Sequence, residues 1–246
     1  GSDPRQAPAT LNCIAWVELG MGVYGLEGGM YELTRALVRV AEGHGAEFIY
    51  DTPVRRIRVE NGRVSGVKTD ETTIDADAVV ANADVTHLVK DLLPSDVRHN
   101  LEAVEVPSMS GWTALIRARR RSVEKRPPHQ VLFPPNYDNE FSDIFRQQAP
   151  PRMPTVYVCA QEKAHRRGGW EEHEPLFVMA NAPPEPAGEE RDPTAWKRLR
   201  DTVLHRLRVN ELIDEEDDIV WQRTPGDLAE RFPGSRGSIY GAASNS

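Results

Sequence analysis

An asparagine-glycine pair at Asn61-Gly62 constrains the fold of this chain more than any other feature. It separates two runs rich in β-branched residues, Val54–Glu60 and Arg63–Lys68. Asn-Gly is the dipeptide that two-residue hairpin turns prefer, because both of its residues tolerate positive φ. A third short strand is predicted at Thr73-Ile74. The sequence therefore predicts a three-stranded antiparallel meander.

An amphipathic helix is predicted ahead of the meander, and Gly43 and Gly45 are expected to end it. Its apolar positions recur at helical spacing and are Met30, Leu33, Leu37 and Val40. Leu11–Leu19 is predicted as an extended segment or buried strand, and further strands are predicted at Ala46–Tyr50 and Ala78–Ala81. A meander that crosses between two strands is typical of FAD domains with the glutathione-reductase fold.

The second part of the chain has a different pattern, with dense prolines and short β-rich runs from about residue 88 onward. The predicted strands are Gly111–Ala118, Gln130–Phe133, Thr155–Ala160, Leu176–Asn181 and Asp218–Arg223. A helix is predicted at Thr194–Val209, where Asp192 caps the first turn and Pro193 occupies it, and a short helix at Pro225–Arg231. This order predicts a mostly antiparallel sheet backed by one or two helices.

A GxGxxG pattern at Gly20–Gly25 suggests a dinucleotide-binding turn, with Asp51 as the acid that binds ribose. In such a turn the helix begins within the glycines, so that its amides meet the pyrophosphate. Here the helical pattern begins only after Gly28-Gly29, and Asp51 lies farther along than the usual spacing of about 20 residues. We interpret the pattern as a turn that leads into the helix.

The charge balance argues against nucleic acid as a partner, because 38 acidic and 30 basic side chains give a net charge of −8. One short basic cluster is interpreted as a solvated strand end and consists of Arg117, Arg119, Arg120 and Arg121. The histidines and cysteines lack metal-ligand spacing, so no metal is predicted. No apolar run approaches the roughly 18 residues of a membrane-spanning helix.

Several segments, in this order and spacing, resemble the phytoene-desaturase-like carotenoid desaturases. They are Gly1–Ala9 (GSDPRQAPA), Gly20–Tyr24 with Glu27–Met30, Ala76–Asp84 (ADAVVANAD), Asn181–Pro184 (NAPP) and Gly237–Ser244 (GSIYGAAS). The last two are similar to the branch that desaturates hydroxylated or methoxylated carotenoids at the 3,4 position. The resemblance implies a longer enzyme, with a nucleotide fingerprint before Gly1 and a second flavin motif beyond Ser246.

The resulting fold prediction is an α/β chain with α+β character. It joins part of a glutathione-reductase-type FAD domain, containing the meander, to a substrate domain with a mostly antiparallel sheet. We predict a linker at residues 1–27 and the FAD-domain part at residues 28–87. A substrate-binding domain, truncated at its C-terminal end, is predicted at residues 88–246.

The resemblance implies FAD as the cofactor of the complete enzyme, with hydride passing from the substrate to the flavin. It places Val54 beside the adenine and Ala81, Asn82 and Ala83 along the dinucleotide cleft. No catalytic residue is assigned, and we expect the fragment alone to be inactive and not to retain FAD.

A carotenoid is an apolar polyene, so the implied site is an apolar tunnel. Strand residues proposed to line it, if they are not ordinary core, are Trp112, Leu115, Phe133 and Tyr157. Phe141, Ile144 and Phe145 share a helical face that suggests a lid or a membrane-docking helix. The expected location is the cytoplasm, with peripheral contact on the inner face of the cell membrane.

Two alternatives to a desaturase are compatible with the sequence. A carotenoid isomerase or ketolase of the same fold is one. A module that binds an apolar ligand without catalysis is the other, and it is favoured by the lack of a self-contained catalytic constellation.

Overall fold

The computed structural model describes residues 2–97, 99–120, 127–166, 171–188 and 191–244. Its N-terminal part is helical: a 3-10 turn at Ala9–Leu11 leads into helix α1 at Asn12–Met21, which ends at Gly22 with φ of 86°. The strand prediction for Leu11–Leu19 is therefore wrong. A short apolar run does not distinguish helix from strand by periodicity, and this run lacks the β-branched bias that would favour a strand.

The predicted amphipathic helix is present as α2, at Tyr31–Gly43. Its apolar side chains Leu33, Leu37 and Val40 remain exposed, as do Trp16 and Leu19 on α1. An amphipathic helix gains most of its stability in proteins by burying its apolar face. The exposed apolar side chains of α1 and α2 therefore mark a surface of unburied hydrophobic area.

The meander is confirmed, with strands β1 (Val54–Glu60), β2 (Arg63–Thr69) and β3 (Thr73–Asp75) in the order β1-β2-β3. Both strand pairs are antiparallel. Asn61 and Gly62 have φ of 50° and 74°, which are the positive values that a type I′ turn requires.

The strands predicted at Ala46–Tyr50 and Ala78–Ala81 are not formed. Phe48, Ile49 and Tyr50 are exposed, and Val80 is 96% exposed. A strand exists only with a hydrogen-bonded neighbour, and no strand among the described residues pairs with either segment. Local apolar composition indicated strands here, but composition alone supplies no partner.

Gly66 in β2 lies in a conformation that only glycine adopts easily, with φ of 142°. A Cβ at this position would lie 2.1 Å from the carbonyl oxygen of Ile74. We expect Gly66→Ala to lower the free energy of unfolding by about 2–4 kcal/mol, measured by urea denaturation. Gly62→Ala is the control, because a Cβ there meets no atom within 4 Å and the cost is about 1 kcal/mol. Equal losses for both variants would contradict the steric explanation.

A short helical segment follows the meander. Asp84 caps helix α3 (Val85–His87) by accepting a hydrogen bond from the backbone N–H of Thr86 at 2.8 Å. The helix continues as a π-helical turn at Leu88–Leu92. Leu92 and Ile57 of β1 are both buried and form the small core of this part.

The second part is a five-stranded antiparallel sheet, as predicted, in the order β5-β6-β7-β4-β8. Its strands are β4 (Ser110–Arg119), β5 (His129–Leu132), β6 (Val156–Ala160), β7 (His173–Ala182) and β8 (Asp218–Arg223). The short helices between or after these strands include α4 (Tyr137–Phe141), α5 (Gln161–His165) and α7 (Pro225–Arg231).

One face of this sheet is covered by helix α6, at Pro193–Val209. Asp192 caps the helix as predicted, with its side chain accepting from the N–H of Thr194 at 2.9 Å. Buried side chains from the helix and from alternate strand positions form the main core, including Leu199, Val203 and Leu207 against Trp112, Ile116, Val158, Leu176 and Val178. Each such side chain contributes about 1.5–3 kcal/mol when fully buried.

The segment after α7 returns to the start of the sheet. The backbone N–H of Ser108 donates to the carbonyl of Gly241 at 2.8 Å, and the N–H of Ala243 donates to the carbonyl of Val106 at 2.9 Å. Gly237 packs against Pro225 so closely that a Cβ would lie 2.2 Å from the Pro225 carbonyl oxygen. Residues 237–243 are therefore fixed by backbone hydrogen bonds to residues 106–109.

Candidate functional site

The face of the five-stranded sheet opposite α6 is the candidate substrate surface, and we call it the open face. Side chains alternate across a strand, so residues between the core positions point to this side. The strand register aligns them in two rows, Val131–Tyr157–Met179–Thr113 and Cys159–Phe177–Leu115–Trp221. These side chains are mostly apolar, and all except the buried Cys159 are partly buried or exposed.

The structure brings two of the four predicted substrate residues together. Leu115 and Tyr157 lie on the open face, whereas Trp112 lies on the other side of the sheet, buried in the core with α6. Phe133 follows the end of β5, where its ring contacts Tyr137 edge-to-face at 5.7 Å. The prediction placed all four on strands, but strand alternation separates them and no single tunnel wall contains them all.

Tyr157, on the open face, has a pKa shifted well above its ordinary value. Its ring lies edge-on to Phe177 at 6.5 Å and stacks with His129 at 6.0 Å. The Tyr157 hydroxyl is 2.8 Å from Nδ1 of His129. Burial, with a smaller effect from Cys159, raises the pKa of Tyr157 to about 12. Burial also raises the pKa of the Cys159 thiol. Both groups are therefore neutral near pH 7.

This shift predicts a distinct titration for Tyr157. We expect Tyr157→Phe to remove a phenolate transition with a midpoint near pH 12 from an ultraviolet titration, while the other tyrosines titrate unchanged. The pKa of Tyr157 in the folded chain is raised above its value of about 10 in the unfolded chain. The contribution of the neutral phenol to the free energy of unfolding is therefore fully present below pH 10 and is lost as the pH rises towards 12. A variant whose high-pH titration equals that of the parent chain would contradict the burial of Tyr157.

The predicted flavin contacts lie around the meander. Val54 is the first residue of the edge strand β1, and Ala81, Asn82 and Ala83 follow the opposite edge strand β3. Val54 is 36% exposed, and residues 81–83 are exposed. All four side chains are uncharged, and their assignment to the flavin stays a prediction.

The GxGxxG pattern has the wrong setting for a nucleotide fingerprint. Gly20 and Met21 belong to α1, so a helix comes before the glycines, where a fingerprint requires a strand. Residues 22–25 form an irregular connection towards α2, so the prediction of a turn is correct only for a connection outside regular structure, and it is wrong for Gly20 and Met21 and for the strand expected before them.

A cleft of about 1140 Å³ opens on the α6 side of the sheet. Trp112 and Trp196 line it together with charged side chains that include Glu185, Arg191, Lys197, Arg200, Asp227 and Glu230. Such a charged lining does not suit a hydrocarbon, since each polar group would lose water without gaining a partner. The open face is therefore the better surface for an apolar ligand.

The helix predicted as a lid or membrane-docking element is packed into the domain. Phe141 of α4 and Ile144, in the following π-helical turn Ser142–Arg146, are both buried. Beside them Glu140 is 1% exposed and accepts hydrogen bonds from Thr155 and Asn181. The buried apolar residues are thus part of the core and not presented to a lipid surface.

The predicted basic cluster is balanced by acids. Arg117 pairs with Asp218 at 2.8 Å, Arg119 with Glu216 at 3.2 Å and Arg120 with Glu162 at 2.9 Å. Arg121 lies outside the described residues. Over the described ranges, no group of three or more potential ligands is arranged to hold a metal ion.

Within the part of the chain that the structure describes, none of the helices has the length and apolar character needed to cross a bilayer.

Sequence reasoning missed His129, Phe177 and Met179 on the open face. Phe177 and Met179 fall in the predicted strand Leu176–Asn181, and their odd-numbered positions alternate with the core residues Leu176, Val178 and Ala180. That alternation is a usable signal. His129 carries none, because its role depends on the pairing of β5 with β6.

The meander and the five-stranded antiparallel sheet backed by α6 define a mixed helix-and-sheet fold. An oxidoreductase from Methanosarcina mazei has a similar solved structure, with a TM-score of 0.51 at 19% identity, over 80% of this chain and 42% of that one. The sequence model of the family described as FAD dependent oxidoreductase matches residues 18–142, about half of the chain. The chain belongs to the FAD-dependent oxidoreductase family.

Curated relatives match along the whole chain. Hydroxyneurosporene desaturase from Rubrivivax gelatinosus is 35% identical over 100% of this chain and 47% of its own length. The 1-hydroxycarotenoid 3,4-desaturase of a Flavobacterium strain is 30% identical over 100% of this chain and 50% of its own length. A zeta-carotene-forming phytoene desaturase from Myxococcus xanthus is 30% identical over 100% of this chain and 48% of its own length. The chain spans about half the length of the curated relatives it matches.

Proposed function

We propose that the chain is the substrate-binding part, with one section of the flavin domain, of an FAD-dependent carotenoid desaturase. The observation that carries this proposal is the open face, an apolar sheet surface in a chain of the FAD-dependent oxidoreductase family whose relatives are named as carotenoid desaturases. Two of these relatives are named for hydroxylated carotenoids, so we place the substrate in that class.

The open face is suited to a polyene because binding depends on contact area. A hydrocarbon offers no charge or hydrogen bond, and affinity comes from apolar surface removed from water, at about 25 cal/mol per Å². Leu115, Phe177 and Met179 present that surface across neighbouring strands β4 and β7. Their fixed positions on a sheet would hold a rod-shaped ligand in one orientation.

The proposed cofactor is FAD, which would accept one substrate hydrogen as a hydride, while the adjacent carbon releases the second hydrogen as a proton to water. Val54 and Ala81–Ala83 would form one wall of its cleft. The glycine turn that follows α1 lacks the strand-to-helix geometry that holds a pyrophosphate. We therefore propose that the complete enzyme holds FAD and that this chain alone does not retain it.

A chimaera tests the proposed function. The matching part of the Rubrivivax hydroxyneurosporene desaturase is replaced with this chain, and flavin content and carotenoid products are measured. We expect a yellow protein that introduces a double bond, visible as a shift of polyene absorption to longer wavelength. Leu115→Asp in the chimaera should abolish product and leave the flavin bound.

A folded, flavin-containing chimaera that binds carotenoid but leaves it unchanged would contradict the proposal. It would favour a module that binds the apolar ligand without catalysis. A product with altered geometry or with added oxygen would instead indicate an isomerase or a ketolase of the same fold.

A further inference from the structure

A polar pair lies at one side of the otherwise apolar open face. His129 of β5 and Tyr157 of β6 stack at 6.0 Å with 14° between their planes. The Tyr157 hydroxyl and His129 Nδ1 are 2.8 Å apart, which is a hydrogen-bond distance. Their neighbours on this face are uncharged: Val131 pairs with Tyr157 and the thiol-bearing Cys159 pairs with His129 in the β5–β6 register, Cys159 also hydrogen-bonds Tyr157, and Phe177 contacts the Tyr157 ring.

The chemistry of this pair does not depend on the tautomer of His129. If Nδ1 accepts the phenol proton, the Tyr157 oxygen keeps acceptor capacity and Nε2–H is a donor. If Nδ1–H donates to Tyr157 instead, the phenol O–H is a donor and Nε2 is an acceptor. In either case the pair retains one donor and one acceptor for a ligand. An alcohol, which both donates and accepts, is complementary to that combination.

A neutral alcohol suits this position better than an anion or a cation does. The strand register places no carboxylate or guanidinium beside Tyr157 on β5 or β7, where its partners are Val131 and Met179. Once a bound ligand excludes water from this pair, a hydrogen bond to the ligand hydroxyl discriminates strongly, because a ligand lacking the hydroxyl leaves the protein groups unpaired.

We propose that His129 and Tyr157 recognise the hydroxyl end group of a hydroxylated carotenoid, while the apolar rows of the open face bind its polyene chain. This inference rests on the proposed function and deepens it by assigning the end-group specificity to two residues. The pair acts in substrate selection and takes no part in the oxidation itself.

Binding to the 246-residue chain tests this assignment. Hydroxyneurosporene and its parent hydrocarbon without the hydroxyl are presented in detergent micelles. Both ligands are achiral, so circular dichroism in the polyene band arises only when the protein holds them in a fixed orientation. We expect about tenfold tighter binding of the alcohol, corresponding to one hydrogen bond of about 1.4 kcal/mol.

Variants of the pair should remove that preference. Tyr157→Phe and His129→Phe keep the aromatic surface, so each should weaken binding of the alcohol about tenfold and leave the hydrocarbon unchanged. His129→Gln, which restores a donor and an acceptor, should recover part of the preference. Tyr50→Phe, which removes a phenol hydroxyl from an exposed position outside the open face, is the matched control and should retain the full tenfold preference. Thermal unfolding of each variant establishes that it is folded.

The possible outcomes separate the two proposals. Equal binding of both ligands by the parent chain, or a preference that survives in folded Tyr157→Phe and His129→Phe variants, would overturn the assignment and leave the proposed function standing. Failure of the parent chain to bind either ligand would count against the open face as the substrate surface, and the end-group assignment would fall with it.

Discussion

Replacing Glu140 with alanine is expected to lower the free energy of unfolding by about 3–5 kcal/mol, because Thr155 and Asn181 would lose the buried carboxylate that accepts their hydrogen bonds. Glu140 is 1% exposed. It accepts from the Thr155 backbone N–H at 2.7 Å, the Thr155 hydroxyl at 2.5 Å and Nδ2 of Asn181 at 3.1 Å. The alanine variant would leave these donors without an acceptor in a part-buried site. The free-energy cost of leaving a donor unpaired exceeds the net gain from forming its hydrogen bond.

Arg206 adds to the loss of unfolding free energy expected for Glu140→Ala. Burial lowers the pKa of its guanidinium, and the charge of Glu140 opposes that shift. Arg206 also donates to the carbonyls of Pro154 and Phe133, so Glu140 and Arg206 together fix the segments around β6 and β5. Without Glu140 the partly buried cation would lose a carboxylate charge that favours its protonated form.

Urea denaturation followed by far-ultraviolet circular dichroism measures the effect. Glu140→Gln should lower the free energy of unfolding by about half as much as Glu140→Ala does, since the amide oxygen of glutamine still accepts from the Thr155 N–H. Glu102→Ala, at an exposed position, should stay within about 0.5 kcal/mol of the parent. A Glu140→Ala variant as stable as the Glu102 control would contradict this account of the buried network.

The second large effect is expected at Trp112. It is 1% exposed and packs in the core beneath α6, so Trp112→Ala should lower the free energy of unfolding by about 3–5 kcal/mol. Leu115→Ala, three positions along the same strand but on the open face, should cost about 1 kcal/mol, because this side chain is already partly exposed.

The effects of these two variants on carotenoid binding should have the opposite order, with the larger effect at Leu115. At temperatures where both variants are folded, Leu115→Ala should weaken binding and Trp112→Ala should leave it nearly unchanged. Circular dichroism of the bound polyene measures this. Loss of binding in a folded Trp112→Ala variant would show that the ligand lies on the α6 side of the sheet.

The elements that sequence predicted well are those with local signals. The turn at Asn61-Gly62 needs positive φ at two adjacent residues, and this requirement is visible in the dipeptide itself. The cap at Asp192 and the proline after it likewise act within one helical turn of α6. Such features are nearly independent of the rest of the fold, which is why they could be predicted.

The errors concern features set by distant partners. Ala46–Tyr50 is apolar like a strand but lacks a hydrogen-bonded neighbour among the described strands. Trp112 and Leu115 have similar hydrophobicity, and only the position of α6 determines which of them is buried. The Glu140 network joins residues 41 positions apart. No periodicity or dipeptide carries that information.

The exposed apolar side chains of α1 and α2 have a consequence for the colloidal behaviour of the chain. Exposed apolar side chains favour contact between copies, whereas the net charge of −8 keeps the copies apart. Added salt shortens the range of that repulsion, to about 10 Å at 0.1 M, and leaves the apolar attraction in place. Self-association of this chain should therefore strengthen as ionic strength rises, and dilute buffer should be its best solvent.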